Sequence, residues 1–286
     1  DIVIATLNTE SCHVRNFHRF ADPDPTPDAQ LYWLEGVLSR ARANGKKVII
    51  AGHIPPGLWG GCWGAHSEAY ERVVGAAADV VAGQLFGHQH SGSFRLLRGE
   101  SRGSSGGGGF DVKRNDGIDD DVSGGVEGGS KTEVNQPPPL TGVAFVTPSV
   151  TPYKDQDPSF RVYQVAVGPV DKGEGGGGGG GATAVTGIEP TIGRNFGVVG
   201  FEQYSTRVAD ARRLSPGQPL EWRASYVPTV QVVVDLHPAT MLALADKVKS
   251  NATFLNEYRA LEANGRPWMG DANNGDYACG LRTVRK

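Results

Sequence analysis

Gly87-His88-Gln89-His90, read together with Gly52-His53-Ile54-Pro55-Pro56-Gly57, decides the fold of this chain. Each histidine run follows a short apolar, β-branched segment. Lys47-Val48-Ile49-Ile50-Ala51 precedes the first, and Val80-Val81-Ala82-Gly83-Gln84-Leu85-Phe86 precedes the second. Such runs read as buried parallel strands. The Gly-His steps then fall where strands end and loops begin, the edge at which open α/β sheets take their ligands. Three imidazoles delivered to one sheet edge, those of His53, His88 and His90, point to a metal site, because imidazole suits zinc, iron and similar transition metals. Two residues apart on extended backbone, His88 and His90 are expected to point the same way and to reach one metal or two adjacent ones. Gly87 is expected to let backbone pass close to the site, and Pro55-Pro56 with Gly57 to stiffen and then turn the loop that carries His53. The plainer alternative is three loop histidines bonded to carbonyl groups.

Working outward, Ile2–Leu7 reads as a strand, and a helix over about Ala29–Ala43 is expected, capped by Asp28 and ended by Asn44-Gly45. Ser67–Ala78 reads as a helix between the two histidine strands. Phe94–Leu97, Gly142–Val146 and Arg161–Val167 read as paired antiparallel strands. This β-α-β-α-β order followed by a run of strands predicts an α/β fold with a mixed sheet. Further on, Glu202–Arg213, Leu220–Ser225, Pro238–Lys249 and Ala252–Ala263 read as helices, and Thr229–Leu236 as a strand or extended connection.

A chain of 286 residues can bury a sizeable core as one or two domains, and a formal net charge of −3 gives no electrostatic case for a nucleic-acid polymer as partner. Its 41 glycines concentrate in two low-complexity stretches. Residues 98–140 are expected to be a disordered insertion and 171–187 a Gly-rich linker, since neither offers enough apolar surface to offset its ordering entropy. The domain plan is thus 1–170, then the linker, then a mainly helical region over 188–286. His13, His18 and His66 read as exposed, with His66 close enough to the first motif to reach the pocket rim. His237, just ahead of Pro238, reads as a capping or surface residue.

Leu7-Asn8-Thr9, the run from Gly52 to Gly57 and Phe86-Gly87-His88-Gln89-His90 resemble the C-terminal half of a calcineurin-like metallophosphoesterase domain. More narrowly they resemble acid sphingomyelinase and the sphingomyelinase-like phosphodiesterases. Leu31-Tyr32-Trp33-Leu34-Glu35, the segment from Phe145 to Tyr153 and Phe160-Arg161-Val162-Tyr163-Gln164-Val165 match the same family in the same order. The resemblance implies the family's two sheets sandwiched between helix layers. It also implies hydrolysis of a phosphoric diester by a metal-activated water, at a centre of two divalent metals, with zinc the expected one. His53 and His88 would ligate one metal and His90 the other. The family's Asp-x-His, Gly-Asp and Gly-Asn-His motifs belong to a preceding half, and no such motif stands ahead of Gly52. The chain is therefore expected to be a partial one, with the catalytic acid supplied by that half.

By the same resemblance, Cys12 and Cys62 correspond to two loops that a disulfide joins in the family; two free thiols are the alternative, and Cys279 is left odd. Asn251-Ala252-Thr253 is a glycosylation sequon. Secretion or a lysosomal or vacuolar location is implied, as is a phosphodiester substrate, either a phospholipid or a nucleotide. Trp59 and Trp63 could touch a membrane surface or pack at a rim. Asn8 and Tyr153 are candidate pocket residues. Two alternatives stand beside sphingomyelin cleavage: a nucleotide or polyphosphate hydrolase of the same fold, and a non-catalytic fragment or pseudoenzyme.

Overall fold

The computed structural model describes residues 1–17, 26–57, 61–99, 139–152, 156–166, 197–233 and 235–263. The segments expected as insertion and linker fall almost wholly outside the described residues, as do His18, Trp59, Tyr153 and Cys279.

Five strands form the main sheet: β1 (Ile2–Leu7), β2 (Lys47–Gly52), β3 (Val81–Phe86), β4 (Ser93–Arg98) and β5 (Leu140–Val146), in the order β1-β2-β3-β5-β4. β1, β2, β3 and β5 run parallel, and β4 returns antiparallel along β5. The Gly99 amide donates to Pro139 O at 3.2 Å, so the β4–β5 pair closes at the base of the long connection between them.

Helices α1 (Thr26–Ala43) and α2 (Gly64–Gly75) cover one face. On α1 the apolar residues Leu31, Leu34, Leu38 and Ala41 recur at helical spacing, and all are at most 5% exposed. They meet Ala5 and Leu7 of β1 and Val48 and Ile50 of β2, the alternate residues of those strands. The helix starts at Thr26, so Asp28 lies inside its first turn rather than at its cap. It stops where Gly45 turns left-handed at φ +63°, which only glycine adopts without a Cβ penalty. The second helix starts three residues before the sequence reading placed it and ends three residues sooner.

The opposite face of the sheet carries a second core. Phe94 and Leu96 of β4, with Val143 and Phe145 of β5, point into it. It is closed by a three-stranded antiparallel sheet of β6 (Ser159–Ala166), β7 (Gly197–Ser205) and β8 (Arg223–Tyr226), and by helices α5 (Pro238–Ser250) and α6 (Ala252–Glu262). Two short turns of helix, α3 (Val208–Ala211) and α4 (Pro228–Gln231), flank β8. Gly83 lets β7 approach: a Cβ there would lie 2.7 Å from Val198 Cγ2. The stretch expected as a helix over Glu202–Arg213 is strand as far as Ser205 and only a short helical turn over Val208–Ala211, the stretch around Arg223 is a strand rather than a helix, and Arg161 belongs to the second sheet rather than pairing with β4 or β5. Thr229 begins no strand but lies in a helical turn. The helices after Pro238 and after Ala252 stand where the sequence put them, with His237 Nδ1 and Asn251 Oδ1 accepting from the amides of Ala239 and Phe254 as caps.

Candidate metal centre

Parallel register brings four loops to one edge. Leu7 pairs with Gly52, Ala51 with Leu85, and Phe86 with Val146, so the chain leaves β1, β2, β3 and β5 side by side. The Thr9 hydroxyl accepts from the amides of both His53 (3.1 Å) and Ile54 (2.7 Å), which fixes the loop after β2 against the loop after β1. The Gly87 amide donates to His53 O at 2.9 Å and the Thr147 amide to Phe86 O at 2.7 Å, extending the same stitching across β3 and β5.

Within this edge His53 Nε2 and His88 Nδ1 stand 3.3 Å apart. The His13 ring lies edge-on to His88, 4.8 Å between centroids, so three imidazoles form a row. Sequence reasoning left His13 among exposed loop residues. Its contact follows from its neighbour: Cys12 is bonded to Cys62, with Cα atoms 4.8 Å apart, and His13 forms an antiparallel bridge to Cys62. The Trp63 amide donates to Cys12 O at 2.9 Å, and Cys12, Ile54 and Cys62 make a small buried core of their own.

The His88-Gln89-His90 segment is not extended. His88 and His90 both take left-handed backbone, at φ +72° and +64°, a region in which histidine is one of the better-tolerated side chains but which still strains the chain. The close approach expected at Gly87 is not tight, since a Cβ there would sit 3.7 Å from His53 Nδ1, an ordinary contact. A close approach falls instead at Gly52, where a Cβ would lie 2.9 Å from Phe86 Cε1 and 3.0 Å from Thr9 Cγ2. Gly57 turns at φ +107° as expected. His90 is held from the other side, its carbonyl accepting from the Ser149 amide at 3.1 Å.

Among the described residues, the group of His, Cys, Asp or Glu side chains whose ligand atoms all lie within 4.8 Å of one another is Cys12, Cys62 and His66; His53, His88 and His90 do not meet that spacing as a set of three. The two sulfurs of that group are bonded to each other, and a disulfide lacks the thiolate that binds metals. His66 is 5% exposed, inside the first turn of α2, rather than at the exposed rim expected of it. Asn8 spends its side chain on the turn that follows, its Oδ1 accepting from the Glu10 amide at 3.3 Å.

An α/β protein with imidazoles gathered at the C-terminal edge of its parallel strands is thus defined by fold and geometry. No family model matches the chain. It is 24% identical over 260 residues, 89% of its length, to sphingomyelin phosphodiesterase A of Dictyostelium discoideum, of which it covers 33%. It is 32% identical over 162 residues, 57% of its length, to sphingomyelin phosphodiesterase of Bos taurus, covering 20% of that protein. To human acid sphingomyelinase-like phosphodiesterase 3b it is 39% identical over 100 residues, 33% of its length and 22% of the relative's. These matches make the chain similar to sphingomyelinase-like phosphodiesterases, and it spans a third or less of the length of these curated relatives. Among the described residues, no helix is long and apolar enough to cross a membrane.

Proposed function

We propose that this chain carries one part of the metal centre of a phosphoric diester hydrolase of the acid sphingomyelinase type, on a calcineurin-like metallophosphoesterase sandwich. The observation that carries the proposal is the 3.3 Å separation of His53 Nε2 and His88 Nδ1. Two nitrogens that ligate one tetrahedral zinc at about 2.0–2.1 Å stand about 3.3–3.4 Å apart. The pair thus has the spacing of two ligands on one ion. His53 and His88 would hold that ion, and His90, on the same turn, a second one. Two bound divalent metals would supply charge neutralisation on the phosphoryl oxygens and a nucleophile at neutral pH.

The chain's own residues orient this arrangement. Thr9 fixes the amide of His53, and the His13 ring packs in a T-shaped contact against His88. Further ligands and the leaving-group acid would come from outside the residues described. The names of the relatives favour sphingomyelin or a related phosphodiester as substrate, and a secreted or lysosomal location accords with the Cys12–Cys62 disulfide, which persists in oxidising compartments. The test is zinc uptake by the full chain, followed by competition with a chromophoric chelator, alongside zinc-dependent hydrolysis of a chromogenic phosphodiester. Binding that falls at least tenfold in His88→Ala and in His53→Ala is expected. Equal binding by the parent and both variants would refute the proposal.

A further inference from the structure

We infer that Gln89, gripped by Arg95 and Ser93, is the positioning residue that holds His88 and His90 in their strained turn, and so sets the geometry of the metal ligands; the inference rests on the metal-centre proposal above. Two consecutive-but-one residues in left-handed backbone do not persist unless their surroundings over-determine them. The backbone bonds to His53 O and from Ser149 tether the outer ends of the turn. Its middle is held by a side chain. Gln89 Oε1 accepts from one terminal nitrogen of Arg95 at 2.9 Å and from Ser93 Oγ at 3.1 Å.

The grip itself is rigid. Arg95 is 6% exposed and lies on β4, opposite Ala144 of β5. Its other terminal nitrogen donates to Phe94 O at 2.8 Å and to Ser93 Oγ at 3.3 Å. A planar guanidinium fixed at two points offers its remaining donors in a set direction. The Gln89 side chain is therefore drawn toward the strand, while the rings on either side of it are left to serve the site. The amide between the two histidines also donates to Gly87 O at 2.8 Å, tightening the same turn. Gln89 touches no reacting group in this arrangement and works through its neighbours, as hydrogen-bond partners behind metal ligands commonly do.

The test uses the full chain with Gln89→Leu, which removes the acceptor at similar volume, and Gln89→Glu, which keeps it. Zinc affinity is measured by chelator competition, and the ring nitrogens of the histidines are followed by NMR in the metal-free protein. Gln89→Leu should weaken zinc binding about 10- to 100-fold and split or shift the His88 and His90 signals. The signals of His237, at a distant helix cap, should stay in place. Gln89→Glu should restore both readouts. Unchanged His88 and His90 signals in Gln89→Leu, with unchanged zinc affinity, would overturn the inference and leave the metal centre standing. If the parent takes up no zinc, the metal-centre proposal fails, and the NMR comparison alone decides whether Gln89 positions the turn. Should Gln89→Leu not fold, Ser93→Ala removes one of the two donors and is read by the same signals.

Discussion

Replacing Glu262 with alanine should destabilise the fold by about 3–5 kcal/mol, the range for stripping one partner from a buried ion pair. Glu262 ends α6 and pairs with Arg161 of β6, and the two side chains are 5% and 1% exposed. Arg161 spends every part of its guanidinium. Nε donates to Gln203 Oε1 at 2.8 Å, one terminal nitrogen to Val146 O at 3.2 Å and the other to Glu262, while the group lies 4.0 Å above the Phe201 ring. Burial, the largest single influence, would push the Arg161 pKa down, but the Glu262 carboxylate together with Tyr163 and Tyr226 holds it above the ordinary arginine value. Glu262→Ala therefore leaves a cation that cannot neutralise itself in a dry site, and frees the Tyr258 hydroxyl that bonded Glu262 at 2.8 Å. At an m-value of about 2.5 kcal/mol/M in urea, the loss is a midpoint shift of about 1–2 M. The double variant Arg161→Met/Glu262→Leu should recover most of it, since both charges are then replaced by apolar volume. A loss under about 1 kcal/mol for Glu262→Ala, or a double variant no better than the sum of the singles, would refute the reasoning.

Removing the Cys12–Cys62 bond by the double change to serine releases a sequence separation of 50 residues and should cost about 4 kcal/mol in the chain-entropy model, read by urea unfolding. It should also loosen His13 from His88, visible as a change in the imidazole NMR signals of both. Asp79→Asn should cost under about 1 kcal/mol at neutral pH, because its bidentate partner Arg42 is solvent-screened on both sides. Arg42 holds the Asp79 carboxyl below its usual value, so that contribution is complete above the ordinary carboxylate range, about 4, and fades as pH falls through the lowered one. Stability curves of parent and Asp79→Asn should accordingly converge at acid pH; curves that run parallel to the lowest pH would rule out the ion pair as the cause.

The parallel half of the fold was legible because its strands read as apolar runs, and because α1 carries an uninterrupted stripe of Leu31, Leu34 and Leu38. The two C-terminal helices were legible as well, although the Asn251 cap of the second was not. β7 was not, for a physical reason. Its inward positions are Phe201 and Gln203, and Gln203 is fully buried because it serves Arg161 of the neighbouring strand. A polar residue on the core side erases the alternation by which a strand is recognised, and its partner lies 42 residues away. The site divides in the same way. His53 and His88 announce themselves by following apolar strands. His13 does not, since it reaches the edge through a disulfide and a bridge to a loop far along the chain. The left-handed turn at His88 and His90 was hidden too, because glycine, the residue that normally marks such backbone, stands beside those positions and not at them.

The supports of the histidine turn come from segments spread over most of the described chain. Thr9 and the Cys12–Cys62 bond act on the His53 and His13 side, Ser149 on His90, and Arg95 on the residue between. Beyond them, the Gly92 amide, two residues past His90, donates to the carbonyl of Glu262 at 3.3 Å. A methyl group at Gly92 would overlap the Glu262 carboxylate and the Arg161 guanidinium, so the backbone there passes directly against the buried pair. The end of α6 thus bears on the turn through its main chain and through the ion pair that docks it. Local strain at two histidines can be sustained only by contacts that do not yield with the loop itself, and strands, a disulfide and a helix anchored by a buried charge meet that requirement. The C-terminal helices, which carry none of the histidines of the candidate centre, are therefore part of what shapes it.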